Sequence, residues 1–389
     1  YIVDRNINYT NVCNVYCKFC AFWRSEKDAD AYVITHAEMD QKIEETLALG
    51  GNQILMQGGH HPKLSKQWYL DLLSHIRGKY PQINVHGFSP SEFVHFQEVF
   101  NEPVESLIRQ FVDAGLGSVP GGGGEILVDR VRQRIAPLKA NTAEWMGVMD
   151  TAHTLGLPSS ITMMFGHVET LDDRLEHLEV VRSQQDRSLA RLAATPGSPV
   201  APGTPMDQAR AYAMALESGV LKGGAFTAFI CWTFQPENAV LKATPLGSHE
   251  YLRTQALSRI YLDNIPSVQS SWVTQGLEVG QVALSHGAAE IAIRDADPAD
   301  VGRPQLRQGL RRHPGIESWI EQETLEEVVP DRIVRLRERP RQTDRLPGEP
   351  RHRRPPPLHQ RPALRVVDPD PRIAELQEGQ GVGERHRHR

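Results

Sequence analysis

Cysteine is scarce in this chain, four among 389 residues, which is too few for the dense disulfide framework of a small stapled domain. No apolar run approaches the ~20 residues that a membrane-spanning helix needs, so the expectation is a soluble, cytoplasmic protein with no membrane partner. Neither sign of charge dominates: 43 Lys and Arg stand against 48 Asp and Glu, a net charge of −5. That balance excludes a global pull toward nucleic acid or anionic lipid. Lys, Phe, Tyr, Met and Cys are missing altogether after His286, where Arg, Pro, His and Glu crowd in. Blocks such as Arg351-His-Arg-Arg-Pro-Pro-Pro-Leu and Gly383-Glu-Arg-His-Arg-His-Arg389 lack folding periodicity. Residues 288–389 therefore read as an Arg/Pro-rich tail, for which two readings stand. One is a basic disordered segment that touches RNA or anionic surfaces. The other, preferred, is out-of-frame translation of a GC-rich gene, because the missing Lys, Phe and Tyr have AT-rich codons. An intact reading frame across the codons near Ala288 would sink it. At the other end, Ile2-Val3-Asp4 runs straight into a strand from Tyr1, as expected of a fragment whose natural start lies upstream.

What is present, from Tyr1 to about Gly287, is an alternation of strand-like and helix-like units. Val3–Tyr9, Gln53–Met56, Ile83–Phe88, Leu116–Val119, Ser160–Phe165, Ala225–Cys231 and Val268–Trp272 read as strands. Thr35-x-x-Glu38 and Thr170-x-x-Asp173 carry helix-start signatures. Helices are also expected around Trp68–Ile76, Val104–Ala114, Glu125–Arg132, Ala143–Leu155 and Glu250–Leu262. At least seven such units predict an α/β protein, a parallel (βα) barrel over 1–287 whose site sits at the C-terminal mouth. Residues 187–222, rich in Ala, Pro and Gly, read as a flexible surface insertion that includes a short helix over Asp207–Glu217. His60, His61, Ser89, Glu125, His167, Glu169, Gln235 and Gln275 all follow predicted strands.

The stretch with the most chemistry is Cys13-Asn-Val-Tyr-Cys17-Lys-Phe-Cys20, three thiols at C-x3-C-x2-C spacing. Such a loop can turn three thiolates onto one iron–sulfur cluster, which usually takes four. Three ligands leave one iron open to a small molecule. A zinc site completed by a histidine or other ligand is the competing reading, and would make the chain a zinc-stabilised binding protein with a basic tail. Cys231, in the apolar run Phe229-Ile-Cys-Trp232, reads as a buried small hydrophobe.

The spacing resembles the signature of the radical S-adenosylmethionine (SAM) superfamily. Further motifs narrow the resemblance: Asp4-Arg-Asn-Ile-Asn-Tyr-Thr-Asn11, Gln57-Gly-Gly-His-His-Pro62, His86-Gly-Phe-Ser-Pro90, Gly115-Leu-Gly-Ser-Val-Pro-Gly-Gly-Gly-Gly-Glu125, Met163-Met-Phe-Gly-His-Val-Glu-Thr170 and Trp232-Thr-Phe-Gln-Pro-Glu-Asn238. Together they are similar to the dehypoxanthine futalosine cyclase family of the futalosine route to menaquinone, in the clade that also holds aminofutalosine synthase. Cys231 stands where that family has proline, and the family pattern stops after Gly287, which puts the last barrel segment in question.

The resemblance implies a radical SAM TIM-type barrel with a [4Fe-4S] cluster and SAM as cofactors. It implies Cys13, Cys17 and Cys20 as cluster ligands. Phe19, Gly58, Gly59, Gly166 and Glu169 become cofactor-binding residues: Phe19 beside the adenine, Gly58 and Gly59 at the turn that meets the SAM ammonium, and the Gly166–Glu169 motif at the adenine and carboxylate. His60, Glu125 and His167 are the candidate catalytic residues, with His61 a further candidate base. A reducing partner such as flavodoxin or ferredoxin is implied, and the substrate is a small molecule. The alternatives for each remain structural: a core aromatic at Phe19, a strand-ending turn at the glycines, a helix-dipole partner at Glu125 and a satisfied histidine at His167.

Overall fold

The structure, a computed structural model, describes residues 3–291, 293 and 294. In chain order, β1 (Val3–Asn8) leads through the cysteine loop to α1 (His36–Ala48), β2 (Gln53–Gln57), α2 (Lys66–Lys79), β3 (Asn84–Gly87), α3 (Pro90–Phe100) and α4 (Val104–Ala114). Then come α5 (Asp129–Ile135), α6 (Thr142–Thr154), β4 (Ser159–Phe165), α7 (Leu171–Ala194), α8 (Pro205–Glu217) and β5 (Phe226–Thr233). The described chain ends with α9 (Ser248–Tyr261), β6 (Ser267–Ser270), α10 (Trp272–Gln275), α11 (Leu277–Leu284), β7 (Glu290–Ile291) and β8 (Ile293–Arg294).

All strand pairings are parallel, in the orders β3-β2-β1-β8 and β4-β5-β6-β7. Single bridges join the two sheets, Ser118 to His86 of β3 and Val119 to Ser159 of β4. The result is the wall of a (βα) barrel with helices outside it. The strand predicted over Leu116–Val119 contracts to those two bridging residues. Gly115 turns at φ +134° on one side and Pro120, which has no N–H to give a ladder, bounds the other. β4 is buried along its whole length, as a parallel strand covered on both faces should be.

β7 extends the β6 edge and β8 extends the β1 edge. The ladder thus runs past Gly287, where the family pattern was expected to stop. The tail expected from residue 288 falls, beyond Arg294, outside the described residues.

Several expectations change. The 187–222 stretch is packed rather than loose: α7 extends into it, and α8 lays Ala209 and Tyr212 onto Leu189, Val200 and Ala225. The buried Tyr212 hydroxyl donates to the Ala225 carbonyl at 3.0 Å, which holds this layer to the start of β5. The helix expected from Glu125 begins instead at Asp129. Before it, the Met164 N–H donates to the Glu125 carbonyl at 3.0 Å and the Leu127 N–H to His177 Nδ1 at 3.0 Å, which keeps the segment extended. α3, α10 and α11 were not expected, and the strand expected over Val268–Trp272 gives way to α10 at Trp272. α3 starts from a capping box in which Ser89 and Glu92 serve each other's backbone N–H, with Pro90 in its first turn.

Candidate active site

β1 delivers the chain into a loop that is pinned by backbone bonds at each change of direction. The Cys13 N–H donates to Arg24 O at 3.0 Å and the Arg24 N–H to Asn11 O at 2.8 Å. The Asn14 N–H reaches His60 O at 3.2 Å, and the Lys18 N–H reaches Ile135 O at 2.9 Å. The Leu241 N–H, from the segment after β5, donates to Lys18 O at 2.7 Å. Between the thiols, Tyr16 takes a left-handed φ of +52° and sets its ring edge-on to Trp23. Cys13, Cys17 and Cys20 line one cleft together with Phe19, Gly58, Gly59 and His60. Burial pushes the Cys17 thiol up to about 12, with the nearby Lys139 ammonium pulling the other way.

The donor set fits a cubane cluster held through three of its irons. Cys231 is not part of it: its buried thiol donates to Gln255 Oε1 at 3.1 Å.

The glycine turn after β2 lies directly beneath this loop. A Cβ on Gly58 would stand 2.5 Å from the Tyr9 ring, and one on Gly59 would stand 2.2 Å from Val12 O and 2.9 Å from Cys13 Cβ. The glycines are therefore required first by the cysteine loop, which closes over them, while they also border the cleft. Gly59→Ala meets a backbone carbonyl that cannot swing aside. It is expected to cost about 2–4 kcal/mol of stability, read as a lower urea midpoint, and to reduce cluster loading; an unchanged midpoint would refute this packing.

Glu92, on the first turn of α3, fastens turn, loop and helix together. Its buried carboxylate accepts from Tyr9 Oη at 2.7 Å, Gly58 N at 3.1 Å, Ser89 N at 2.7 Å and Ser89 Oγ at 2.6 Å. Burial raises its pKa, and those donors work in the opposite direction. One turn further along α3, His95 sets its ring 5.0 Å from that of His60. Burial, then His95 and Lys139, hold His60 well below the ordinary histidine range. His60 thus stands at the cleft wall with its charged form disfavoured. His61 serves the backbone instead, where its Nδ1 accepts the N–H groups of Lys63 and Leu64 at 3.1 and 3.2 Å and closes the turn.

Opposite the glycines lies a buried charge cluster. Lys139 Nζ donates to Glu125 Oε1 at 2.8 Å, and Arg132 Nη1 stands 3.6 Å from Glu125 Oε2. Arg132 is held by the carbonyls of Gly123 and Ala140. Lys139 also sits 5.2 Å from the centre of the Phe19 ring, and Phe19 packs on its other side against the Met164, Phe234 and Ala239 cluster. Phe19 is thus an aromatic packed against core that also borders the cleft.

Gly166, His167 and Glu169 do not join this group; they build a turn after β4. The Glu169 carboxylate accepts the N–H groups of Gly166 at 2.6 Å and His167 at 2.9 Å, and pairs with Arg174 Nε at 3.0 Å. Both His167 nitrogens are engaged, Nε2 with Met164 O at 3.1 Å and Nδ1 with the Val168 N–H at 2.7 Å. Burial lowers the His167 pKa. At the end of β5, Gln235 and Gln275 both donate to Thr233 Oγ1, at 3.0 and 2.7 Å.

Sequence reasoning missed Glu92, His95, Arg132 and Lys139. Only Glu92 had a local signal, the Ser89-Pro-Ser-Glu92 capping signature.

Among known proteins, residues 7–181 match the radical SAM superfamily and residues 223–295 match the CofH/MqnC C-terminal region. The chain is similar to the cyclic dehypoxanthine futalosine synthase of Halalkalibacterium halodurans, 38% identical over 288 residues, covering 74% of this chain and 68% of the relative. It is also similar to that of Streptomyces coelicolor, 39% identical over 293 residues, covering 75% and 65%. The chain thus spans about two thirds of the length of these relatives. A crystal structure of methylornithine synthase shares the fold at 10% identity, with a TM-score of 0.52 over 75% of this chain and 71% of that one.

Proposed function

The chain belongs to the radical SAM superfamily, in the branch that carries the CofH/MqnC C-terminal region, and from that premise we propose that it cyclises dehypoxanthine futalosine. The observation that carries the reading is the cleft itself: three thiols without a fourth, a glycine turn and a buried histidine on one wall. Cys13, Cys17 and Cys20 would hold the [4Fe-4S] cluster. When bound, the cluster and SAM supply a one-electron cleavage that gives methionine and a 5′-deoxyadenosyl radical.

The remaining work falls to the protein. Phe19, fixed between Lys139 and the Met164 cluster, presents an apolar face for the adenine. The Gly58–Gly59 turn brings backbone close to the cofactor without side-chain bulk. The Gly166–Glu169 turn shapes the wall after β4 rather than moving protons, since both His167 nitrogens are engaged. The substrate would lose a hydrogen atom from its ribose to the deoxyadenosyl radical, close a carbon–carbon bond onto its aromatic ring, and as aromaticity returns give up a proton to a base and an electron to the oxidised cluster. His60 and Glu125 are the candidates for taking that proton, and burial, His95 and Lys139 all disfavour a charged His60. Glu125 is a poorer base, because Lys139 and Arg132 already compensate its charge. Among the described residues no helix is long and apolar enough to cross a membrane, and the reading places the protein in the cytoplasm, where thiols stay free, with flavodoxin or ferredoxin as reductant.

The test is anaerobic reconstitution followed by incubation with SAM, dithionite and dehypoxanthine futalosine. The expected result is 5′-deoxyadenosine together with a product two hydrogens lighter than the substrate. Unchanged dehypoxanthine futalosine, with activity on the precursors of aminofutalosine instead, would move the chain to aminofutalosine synthase. Zinc in place of iron would end the radical reading.

A further inference from the structure

Lys139 is a buried lysine that no motif accounts for. It lines the cleft with the three thiols, its side chain is 13% exposed, and its one ion-pair partner among the described residues is Glu125. Arg132, also buried, holds the other side of that carboxylate and is tied to backbone carbonyls. Lysine, arginine and glutamate together leave one positive charge on this wall: Asp129 and Glu144, which also act on Arg132, are exposed to solvent, and the buried Glu92 carboxylate of the same cleft is taken up by its own donors on Tyr9, Gly58 and Ser89. An uncompensated buried charge is costly unless something of opposite sign faces it. Beyond that carboxylate, a further group in electrostatic reach of both cations is Cys17, the thiol between the other two cluster ligands.

That arrangement matches the cluster's own charge. Three thiolates outweigh an oxidised cubane core by one negative charge, and reduction adds another. A fixed positive charge beside it favours the reduced form more than the oxidised form, because the attraction grows with the cluster's charge. We infer that the Lys139–Glu125–Arg132 triad is the counter-charge of the iron–sulfur cluster and raises its reduction potential. The inference rests on the cluster reading of Cys13, Cys17 and Cys20. Lys139 is thereby a positioning and tuning residue, whose effect exists before SAM or substrate arrives.

The experiment is a redox titration of the reconstituted protein without SAM, with dithionite as one-electron reductant, followed by electron paramagnetic resonance. Lys139→Met leaves a neutral Arg132–Glu125 pair and is expected to cut the reduced-to-oxidised ratio about tenfold at fixed potential, a shift of about 59 mV downward for a one-electron couple. Glu125→Gln removes the only negative member of the triad and shifts the ratio the opposite way. Lys139→Arg keeps the charge and stays near the parent value. Opposite signs for the first two variants are what a merely structural role does not give, since a loosened site would move both alike or lose iron from both. Should Lys139→Met fail to hold a cluster, Glu125→Gln still decides the sign.

Two results overturn the inference while leaving the proposed function intact. One is a cluster in every variant at the parent potential; the other is a Lys139→Met shift that arises only once SAM is added, which makes Lys139 a SAM contact instead. A parent protein that takes up no iron overturns the cluster reading, and this inference with it.

Discussion

Alanine at Cys13, Cys17 or Cys20 is expected to take product formation to background, each change by itself. Each thiolate would hold a different iron, so losing one opens a second corner of the cluster to water and leaves two bonds to retain it. The nearest candidates to substitute are already committed. Cys231 is buried against Gln255 under α9, and His60 is packed against His95. Cys17 should be the most severe of the three. It is buried, and its loop is clipped on both sides through Lys18, to Ile135 and to Leu241, so no flexible neighbour can swing in to replace it. The measurement is iron and acid-labile sulfide per protein after reconstitution, beside 5′-deoxyadenosine formed on adding SAM. Cys231→Ala is the matched control. It removes one buried hydrogen bond and a small apolar volume, worth about 1–2 kcal/mol, and should keep its iron. Full iron loading in any of the three loop variants would mean that the cluster sits elsewhere.

The parts of the molecule that could be read from sequence are those whose causes are local. Thr35 and Glu38, and Thr170 and Asp173, are three residues apart, and each pair caps its helix as expected. The apolar run Ile54-Leu-Met56 needs no partner to declare itself a covered strand. The cysteine spacing likewise carries its meaning within eight residues. What escaped has distant causes. Lys139 has an ordinary neighbourhood in Ala136-Pro-Leu-Lys-Ala140; its meaning comes from Glu125, Phe19 and Cys17, which the barrel brings to it. Gly59 is read correctly as a position that needs no side chain, yet the atom that excludes one belongs to Val12, in the loop after the neighbouring strand β1. His167 shows the opposite failure. Its motif draws attention, while the fold spends both ring nitrogens on the turn. α3 is a different case, since Ser89-Pro-Ser-Glu92 is as clear a helix start as Thr35-x-x-Glu38. Counting Ser89 only as a residue that follows the strand Ile83–Phe88 hides it, and with it Glu92 and His95.

Acid should weaken this protein well above the pH at which carboxylates titrate. His153 and His177 are fully enclosed, and burial lowers each to about 3 in the folded state, against about 6.5 in an unfolded chain. His153 is held by Ser188 Oγ at 2.7 Å and Ser159 Oγ at 2.6 Å, and His177 Nδ1 takes the Leu127 N–H. At His153 the attraction of Asp150 is outweighed by burial and by Arg191, and at His177 Arg132 adds to the effect of burial. Below pH 6.5 the unfolded state therefore binds protons that the folded state refuses, so stability falls as pH falls, and continues to fall until the folded pKa is reached. Each pH unit in that window costs up to about 1.4 kcal/mol per histidine. Between pH 6.5 and 5 the two together remove roughly 3 kcal/mol, and His60 acts in the same direction. Glu92 opposes them: its folded pKa is raised, so protonating it on acidification favours the folded state. One such carboxylate offsets only part of the loss. Urea midpoints taken from pH 7 to 5 should fall steadily, and His153→Gln should flatten the slope by up to about 1.4 kcal/mol per unit. A midpoint that stays level to pH 5 would show that these histidines charge freely, and that the helices over β4 and β5 open far more readily than their packing implies.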